Sequence, residues 1–403
     1  MISFELSAEQ REFRDAVREF VVNEVKPLAT NQNRLQAGPS PLPAALLQQA
    51  SSMGLRTLLL SEVRGGAGAS HATACIVGEE LAVGDAGFAT ALMHSAALGQ
   101  RLFDYAMSDA QRALYLDTFV KDDTFHLAYA GADEDGENGG WNYHRADTAA
   151  LCVPVTATRH GGAWVLNGTY PCVTNAPLAK LFVVRAQVDG GSALLLVPST
   201  SAGLTVSEAQ TPSGLPSRRW CVGVSGSVTF VDCKVPANHV LEGCSHLYGE
   251  AAAQGRGSPL TQALNVGVGR AAYEAAVTYA KLRVQGGRLI VEHQAIGSIL
   301  AEVATRIETA RNLVWKAAWA ADHPDEESVV TGLPLQTLAK SHVSHAMQEA
   351  TLLAAECFGA MGVMKDMTTP HYVNEARMFA HTGISNATAK LRVAEVIAGF
   401  ERG

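Results

Sequence analysis

Hydrophobic residues recur at helical spacing through the first part of the chain. Ser7 and Gln10 have the spacing of a capping box, and apolar residues follow at intervals of three and four up to Pro27, where we expect this helix to end. Three further segments with helical periodicity are Leu46–Met53, Ala72–Val83 and Ala89–Tyr105. The pattern predicts an N-terminal helical domain over residues 1–124.

The periodicity changes in the middle of the chain. Short runs rich in β-branched and other apolar residues are separated by Gly, Pro, Ser and Asp, which is typical of antiparallel strands in a barrel or sandwich. These runs are Trp164–Gly168, Leu181–Val184, Leu194–Pro198 and Val228–Val231. We predict an antiparallel β domain over residues 125–242.

Helical spacing returns after residue 258 and is strongest in a seven-residue apolar stripe. The stripe is Ile296, Leu300, Val303, Ile307, Ala310, Val314 and Ala317. Its alternating steps of three and four predict a long helix that packs along one seam of a bundle. Leu335–Phe358 is a second long helical segment, and Ala376–Phe400 contains at least one more helix. The fold class is therefore α+β, with a C-terminal four-helix bundle over residues 243–403.

Composition and charge point to an enzyme that acts on small molecules. The 403 residues are 47% apolar and carry a formal net charge of −8, without the basic excess of a nucleic-acid-binding protein. The N-terminus lacks the pattern of a secretory signal, and no apolar run is long enough to span a bilayer. The seven cysteines are scattered without a Cys-x-x-Cys pair. We expect a cytoplasmic protein without a metal site.

Several polar motifs in the C-terminal third follow one another in a characteristic order. The stretch Tyr279–Ile296 contains Tyr-Ala, Arg283, a glycine and Glu-His-Gln at fixed spacing, and it leads into the long helix. Glu356-Cys-Phe-Gly-Ala-Met-Gly and Glu375-Ala-Arg follow. In this order the chain resembles the acyl-CoA dehydrogenase family, similar to the medium-chain enzyme, over nearly its whole length. The resemblance implies FAD as cofactor, acyl-CoA or another acyl thioester as substrate, and an electron-transfer flavoprotein as a candidate partner.

The resemblance also implies which residues bind FAD. Arg283 would neutralise the pyrophosphate, with His293 and Gln294 beside it, and Val173 and Thr174 would touch the flavin ring. The remaining candidates are Glu356, Gly359, Ala360 and Ser385. The chain departs from the family pattern at three places. Cys172 replaces a tryptophan that stacks on the ring, Glu356 replaces a glutamine, and an acidic, glycine-rich segment at residues 130–140 replaces a phosphate-binding turn.

The residue that would decide the reaction is missing. Family members carry a glutamate that removes the α-proton of the thioester, and an ungapped comparison places Gly383 at that position, or Thr382 after a shift of one residue. An alternative glutamate position used within the family is also empty here, and Glu250 is the nearest carboxylate to it. His381 is the titratable residue nearest to the vacancy, and imidazole transfers protons near neutral pH.

Three functions remain open from the sequence. The first is an FAD-dependent oxidoreductase that acts at Cα–Cβ of an acyl thioester with a non-standard or absent base. The second is a flavin-dependent monooxygenase on the same fold. The third is a non-catalytic subunit that completes the FAD site of an active paralogue. Because the family's cofactor site spans subunits and the bundle seam is long and apolar, we expect a homo-oligomer, a homotetramer in the first instance.

Overall fold

A computed structural model describes residues 5–37, 41–131, 153–189, 191–208, 223–242, 258–323 and 332–400. The chain forms two compact units. The first comprises Met1–Leu42, Ser70–Thr90 and Arg256–Gly399, and the second comprises Pro43–Ala69, Ala91–Gly255 and Phe400–Gly403. Within the described residues, no helix is both long and apolar enough to cross a membrane.

The helices are numbered in chain order. They are α1 (Ala8–Phe20), α2 (Lys26–Ala29), α3 (Gln32–Ala37), α4 (Ala44–Ser52), α5 (His71–Gly84), α6 (Ala86–Gln100), α7 (Asp109–Lys121), α8 (Pro259–Leu282), α9 (Gln294–Asp322), α10 (Leu335–Glu356), α11 (Thr369–Phe379) and α12 (Asn386–Ala398). The strands are β1 (His126–Ala130), β2 (Val155–His160), β3 (Ala163–Thr174), β4 (Ala179–Val188), β5 (Gly191–Pro198), β6 (Leu204–Glu208), β7 (Ser225–Pro236), β8 (Val284–Gln285) and β9 (Arg288–Leu289).

The first helix begins as the sequence predicts and ends differently. Ser7 and Gln10 form the capping box, with the Ser7 side chain accepting from the Gln10 backbone N–H. The expectation that Pro27 ends the helix is wrong. A π-helical turn over Val21–Val25 continues into α2, where Pro27 lies in the first turn. The wider π-helical turn, in which the Lys26 N–H donates to the Val21 carbonyl five residues earlier, lets the helix continue past the proline.

The first unit is a helical bundle around α8, α9 and α10. The buried residues of α9 are largely the stripe that the sequence singles out, from Leu300 through Ala317, which confirms the predicted seam. Leu335–Phe358 is likewise confirmed as a long helix, and α10 ends at Glu356. The last predicted segment contains α12 and the end of α11.

The second unit is built on a seven-stranded sheet with strand order β1-β4-β2-β3-β7-β6, in which β5 pairs with β4. Neighbouring strands are mostly antiparallel, but β1 and β2 each pair with β4 in parallel. Strand β1 follows helix α7 directly, so no hairpin dictates its direction. The core includes Leu166, Phe182, Val197 and Phe230, at positions that the β-rich runs predict.

Candidate active site

Helices α8 and α10 run side by side in the same direction. A Cβ placed on Gly269 would lie 2.4 Å from Met347 Sδ, so the two helices approach closely at this level. Near the ends of both helices, the rings of Tyr279 and Phe358 stack with centroids 4.4 Å apart. The second contact lies further along both helices than the first, so α8 and α10 run in the same direction. Their C-terminal ends therefore lie at one end of the bundle.

Arg283 lies at that end, where it follows the last residue of α8. It is exposed and leads into a short hairpin of β8 and β9. Gly286 and Gly287 form the turn with φ of 63° and 80°, a region that glycine enters without steric cost. Among the described residues, the Arg283 guanidinium has no carboxylate partner.

His293 uses both ring nitrogens inside this hairpin. Its Nε2 lies 3.0 Å from the Gln285 carbonyl oxygen, which can only accept, so Nε2 carries the proton. Nδ1 is then the acceptor for Arg288 Nη2 at 3.3 Å. These contacts fix the hairpin against the start of α9, where Gln294 is exposed. Arg288 is therefore part of the predicted FAD-binding region through His293.

The turn after α10 lies at the same end of the bundle. Glu356 is the last residue of α10, and Gly359 follows with φ of 55°. Glu356, Gly359 and Ala360 are exposed, while Phe358 packs inward on Tyr279. The structure thus brings Arg283 and the Glu356–Ala360 turn to one end of the bundle.

The position of the missing glutamate lies at the other end. Lys340, near the start of α10, is buried, and its Nζ donates to the carbonyl oxygens of Phe379 and Thr382 at 2.6 and 2.8 Å. These bonds satisfy carbonyl groups that the end of α11 leaves unpaired. Sequence reasoning missed this role. The available signal was a lone lysine among the apolar residues of a bundle helix.

Gly383 follows this anchored segment with φ of 69°, and no atom lies within 4 Å of the place that its Cβ would occupy. His381 and Thr382 are exposed. Ser385 caps α12, with its Oγ accepting from the Thr388 N–H at 3.0 Å. The site of the missing base is therefore open space beside a fixed backbone.

The predicted site residues in the first unit fall into two separate groups. With a rise of 1.5 Å per residue, the helix between Lys340 and Glu356 spans about 24 Å. The group at Arg283 and Glu356 thus lies that far from the group at His381 and Gly383. Glu250 lies outside the described residues, and so does the segment 132–140.

In the second unit, Val173 and Thr174 end strand β3 above a buried asparagine. Asn175 has φ of 65° and is fully buried. Its Nδ2 donates to the Ala91 carbonyl at 2.8 Å, and Ser95 Oγ and the Leu127 carbonyl lie at 3.3 and 3.4 Å. One side chain therefore fixes the end of β3 against α6 and β1. The sequence analysis assigned no role to Asn175.

Ser95 connects this asparagine to a buried histidine. Ser95 Oγ accepts from the Leu127 N–H at 3.2 Å and from Asn175, so its own proton points to His126 Nδ1 at 3.1 Å. Burial, aided by the charge of Arg56, lowers the pKa of His126 to about 4. His126 is therefore a neutral structural partner at physiological pH.

Glu375, from the Glu-Ala-Arg motif, lines a small cavity of about 30 Å³ in the first unit together with Arg34, Asp85, His371 and Tyr372. Arg34 Nη2 donates to Asp85 Oδ2 at 2.7 Å. Burial and the nearby Asp85 charge raise the pKa of Glu375 to about 8, while Arg34 opposes the shift. Arg34 thus pairs with Asp85, and the raised pKa favours the protonated form of Glu375 at neutral pH.

The three parts of this architecture match the domains of one known protein family. Models of the acyl-CoA dehydrogenase N-terminal, middle and C-terminal domains match residues 7–123, 143–225 and 251–398. The chain belongs to the acyl-CoA dehydrogenase family. Membership confirms the predicted fold class and the predicted enzyme class, an FAD-dependent oxidoreductase of the acyl-CoA dehydrogenase type.

Individual relatives are distant but cover the chain. The human mitochondrial short-chain specific acyl-CoA dehydrogenase is 27% identical over 401 residues, which cover 97% of this chain and 89% of that protein. The butyryl-CoA dehydrogenase of Megasphaera elsdenii is similar in structure, with a TM-score of 0.82 at 22% identity and coverage of 98% and 100%. An FAD complex of PigA has a TM-score of 0.80 at 21% identity, with coverage of 98% and 99%.

Proposed function

We propose that the chain is an FAD-dependent enzyme that oxidises the Cα–Cβ bond of an acyl thioester, preferentially an acyl-CoA, without the glutamate base of its family. The observation that carries this proposal is the segment Phe379–Gly383. Buried Lys340 holds its backbone in one conformation, and the space beside Gly383 is open. The open space beside this segment leaves room for the acyl group of a substrate.

The exposed end of the bundle supports cofactor binding. Arg283 offers a guanidinium without a carboxylate partner among the described residues, and a guanidinium suits a pyrophosphate through charge-assisted hydrogen bonds. We assign direct contacts to Arg283 and Gln294, and to Gly359 and Ala360 through their backbone. His293 holds the hairpin, because both of its ring nitrogens are engaged. FAD, when bound, supplies the acceptor for a hydride from Cβ.

The α-proton needs another acceptor. Gly383 has no side chain, and the candidate nearest to it, His381, is exposed at the end of α11. A substrate whose α-proton is more acidic than that of a simple acyl group would lower the demand on such a weakly placed base. We therefore assign the proton to His381 or to water, and we expect the acyl group to be activated.

The separation of the two groups supports a homo-oligomer. Arg283 and Gly383 lie at opposite ends of the bundle within one chain, so a compact site that uses both would draw on a second copy. Exposed apolar side chains on the first unit, such as Val363 at 78% and Ile397 at 71% exposure, favour such contacts. We propose a homotetramer, with an electron-transfer flavoprotein as the electron acceptor. Light scattering that shows a stable monomer at micromolar concentration would contradict the assembly.

Restoring the carboxylate tests the proposed reaction. Thr382→Glu and Gly383→Glu each place a base at the vacancy, and we expect faster flavin bleaching by a saturated acyl-CoA, since a positioned general base contributes roughly 100- to 10,000-fold. Thr382→Glu should fold better, because a side chain at the left-handed φ of Gly383 costs roughly 1 kcal/mol. Thr382→Gln and Gly383→Gln are the matched controls, with the same shape and no base.

The same experiment separates the alternatives. If neither glutamate variant bleaches the flavin at any chain length, while the native protein consumes reduced flavin and oxygen productively, the monooxygenase takes the place of the dehydrogenase. The non-catalytic subunit is favoured by one observation, the exposed Glu356 carboxylate in a turn predicted to meet the cofactor. A protein that is colourless alone and turns yellow only with a paralogue would establish that function.

A further inference from the structure

Two buried polar residues of α8 lie on the side that faces α10. Gln262 and Asn265 are 1% and 0% exposed, and a spacing of three residues places them on one face of the helix. Gly269 lies one turn beyond Asn265 on that face, and it contacts Met347 of α10. Gln262 and Asn265 therefore point toward α10.

Two polar residues of α10 lie at the same levels. Ser344 is fully buried and precedes Met347 by three residues, and Lys340 precedes it by seven. Because the two helices run in the same direction, Asn265 lies about 6 Å and Ser344 about 4.5 Å before the Gly269–Met347 contact. By the same argument Gln262 is level with Lys340. These four residues form the polar end of the α8–α10 seam.

Most polar atoms at this end have no partner. Gln262 Oε1, both side-chain polar atoms of Asn265 and Ser344 Oγ are buried without a hydrogen bond to any residue that the structure describes. Thr351, further along α10, shows the contrasting case, since its Oγ1 donates to the Met347 carbonyl at 2.9 Å. A buried polar group without a partner is costly to the folded protein. A ligand that supplied the missing partners would offset this cost.

The polar end of the seam adjoins the position of the missing base. Lys340 belongs to this end, and its ammonium group reaches the Thr382 carbonyl, next to Gly383. Two helical turns or less separate Ser344 and Asn265 from that ammonium group along the seam. An acyl group placed at the Gly383 vacancy would have to extend past Lys340 to bring a polar group to these residues.

The geometry points to a pocket for a hydroxyl group carried by the acyl chain of the substrate. This inference rests on the proposed acyl thioester function. The unpartnered atoms comprise the acceptors Gln262 Oε1 and Asn265 Oδ1, the donor Asn265 Nδ2, and Ser344 Oγ, which can do both. A hydroxyl donates and accepts and so matches this set. A carboxylate only accepts and would face two acceptors with Lys340 already engaged.

The test compares two thioesters of equal length. Flavin absorbance would be titrated with butyryl-CoA and with 4-hydroxybutyryl-CoA, and the native holoenzyme should bind the hydroxyacyl form at least about 10-fold more tightly, because a site built for a hydroxyl rejects the analogue that lacks it. Asn265→Leu should abolish that preference, and Ser344→Ala should reduce it. Thr351→Val, which changes a hydroxyl paired within its own helix, should leave the preference unchanged.

A second readout requires no substrate. Without ligand, Asn265→Leu should raise the melting temperature, because it removes two unpaired buried polar groups. A fall in melting temperature, together with equal affinity for the two thioesters, would assign these atoms to an ordered water and overturn the inference. If the protein binds both thioesters with equal affinity, the hydroxyl pocket is contradicted and the proposed function is not. If neither of these thioesters nor an acyl-CoA with a more acidic α-proton changes the flavin absorbance, the proposed function fails as well.

Discussion

Helix α8 carries two kinds of polar residue in its buried length, and they differ in whether they have partners. Arg270 donates to Glu79 at 2.8 Å and to Glu80 at 2.9 Å, while Arg311 also pairs with Glu79 and Arg18 also pairs with Glu80. Asn265, just over one turn earlier, has no partner for either side-chain polar atom among the described residues. Arg270 and Asn265 lie in the same helix, so their different partners do not reflect a different element of the fold.

The difference also appears in the protonation of the paired groups. Burial alone would raise the pKa of Glu80, but hydrogen bonds from Arg270 and Arg18 outweigh it and lower the pKa. Burial alone would likewise lower the pKa of Arg270, and its bonds to the two glutamates raise it. Glu80 and Arg270 are thus ionised and serve the fold. Unpaired groups, such as Asn265 and the exposed Arg283, are where ligands are expected.

Breaking the paired cluster should have the largest effect. Arg270→Met leaves Glu79 and Glu80 buried with less compensating charge, and we expect a loss of about 3–5 kcal/mol in the free energy of unfolding. Urea denaturation measures it. Arg306→Met is the control on α9, because the ion pairs of Arg306 with Glu302 and with Glu349 of α10 join partly exposed side chains and should each contribute less than about 1 kcal/mol. Equal losses in the two variants would contradict the distinction.

Removing an unpaired cation should affect the cofactor and spare the fold. Arg283→Ala should weaken FAD retention by about 10- to 100-fold, corresponding to the roughly 1.5–3 kcal/mol of a charged hydrogen bond. Its free energy of unfolding without FAD should stay within about 0.5 kcal/mol of the native value. Lys281→Ala, an exposed cation two residues earlier, is the control. The Arg283 assignment fails if both variants retain equal flavin after dialysis.

The Glu375 cavity is an intermediate case, with two carboxyl groups and one arginine. In the folded protein the pKa of Glu375 is about 8, above the ordinary value for glutamate. The folded state therefore holds a proton that the unfolded state releases. Stability should therefore fall as the pH rises from 5 to about 8. The full pKa difference corresponds to roughly 3–4 kcal/mol over this range, and because Glu375 is only half-buried we expect a loss on the order of 1–2 kcal/mol. Glu375→Gln should flatten this slope in urea midpoints measured across that range. An unchanged slope would contradict the raised pKa.

Much of the fold was predictable because long apolar stripes determine helices and seams. The stripe from Leu300 to Ala317 predicted α9 and its buried face. Pro27 was interpreted wrongly, because a π-helical turn before it lets the helix continue past the proline. The course of the helix in that region depends on tertiary packing, which the local spacing of apolar residues does not reveal.

The candidate site was predictable only in part. Motif spacing predicted Arg283 and the vacancy at Gly383 as site positions, and both lie in short segments that follow a helix end. The placement of Asn265 near the level of Ser344 could not be predicted, because it depends on the level at which α8 and α10 meet. The sequence did hold one hint, since Gln262 and Asn265 interrupt an otherwise small and apolar helix start.

The distance of about 24 Å along α10 has a genetic consequence. If each site in an oligomer takes the Arg283 end from one chain and the Gly383 end from another, lesions at the two ends complement each other. Two inactive variants, one altered at each end and produced in the same cell, would assemble into mixed oligomers in which some sites receive two intact halves. Activity recovered by co-expression, and absent when the separately purified variants are mixed without exchange of subunits, would map the two ends onto different chains.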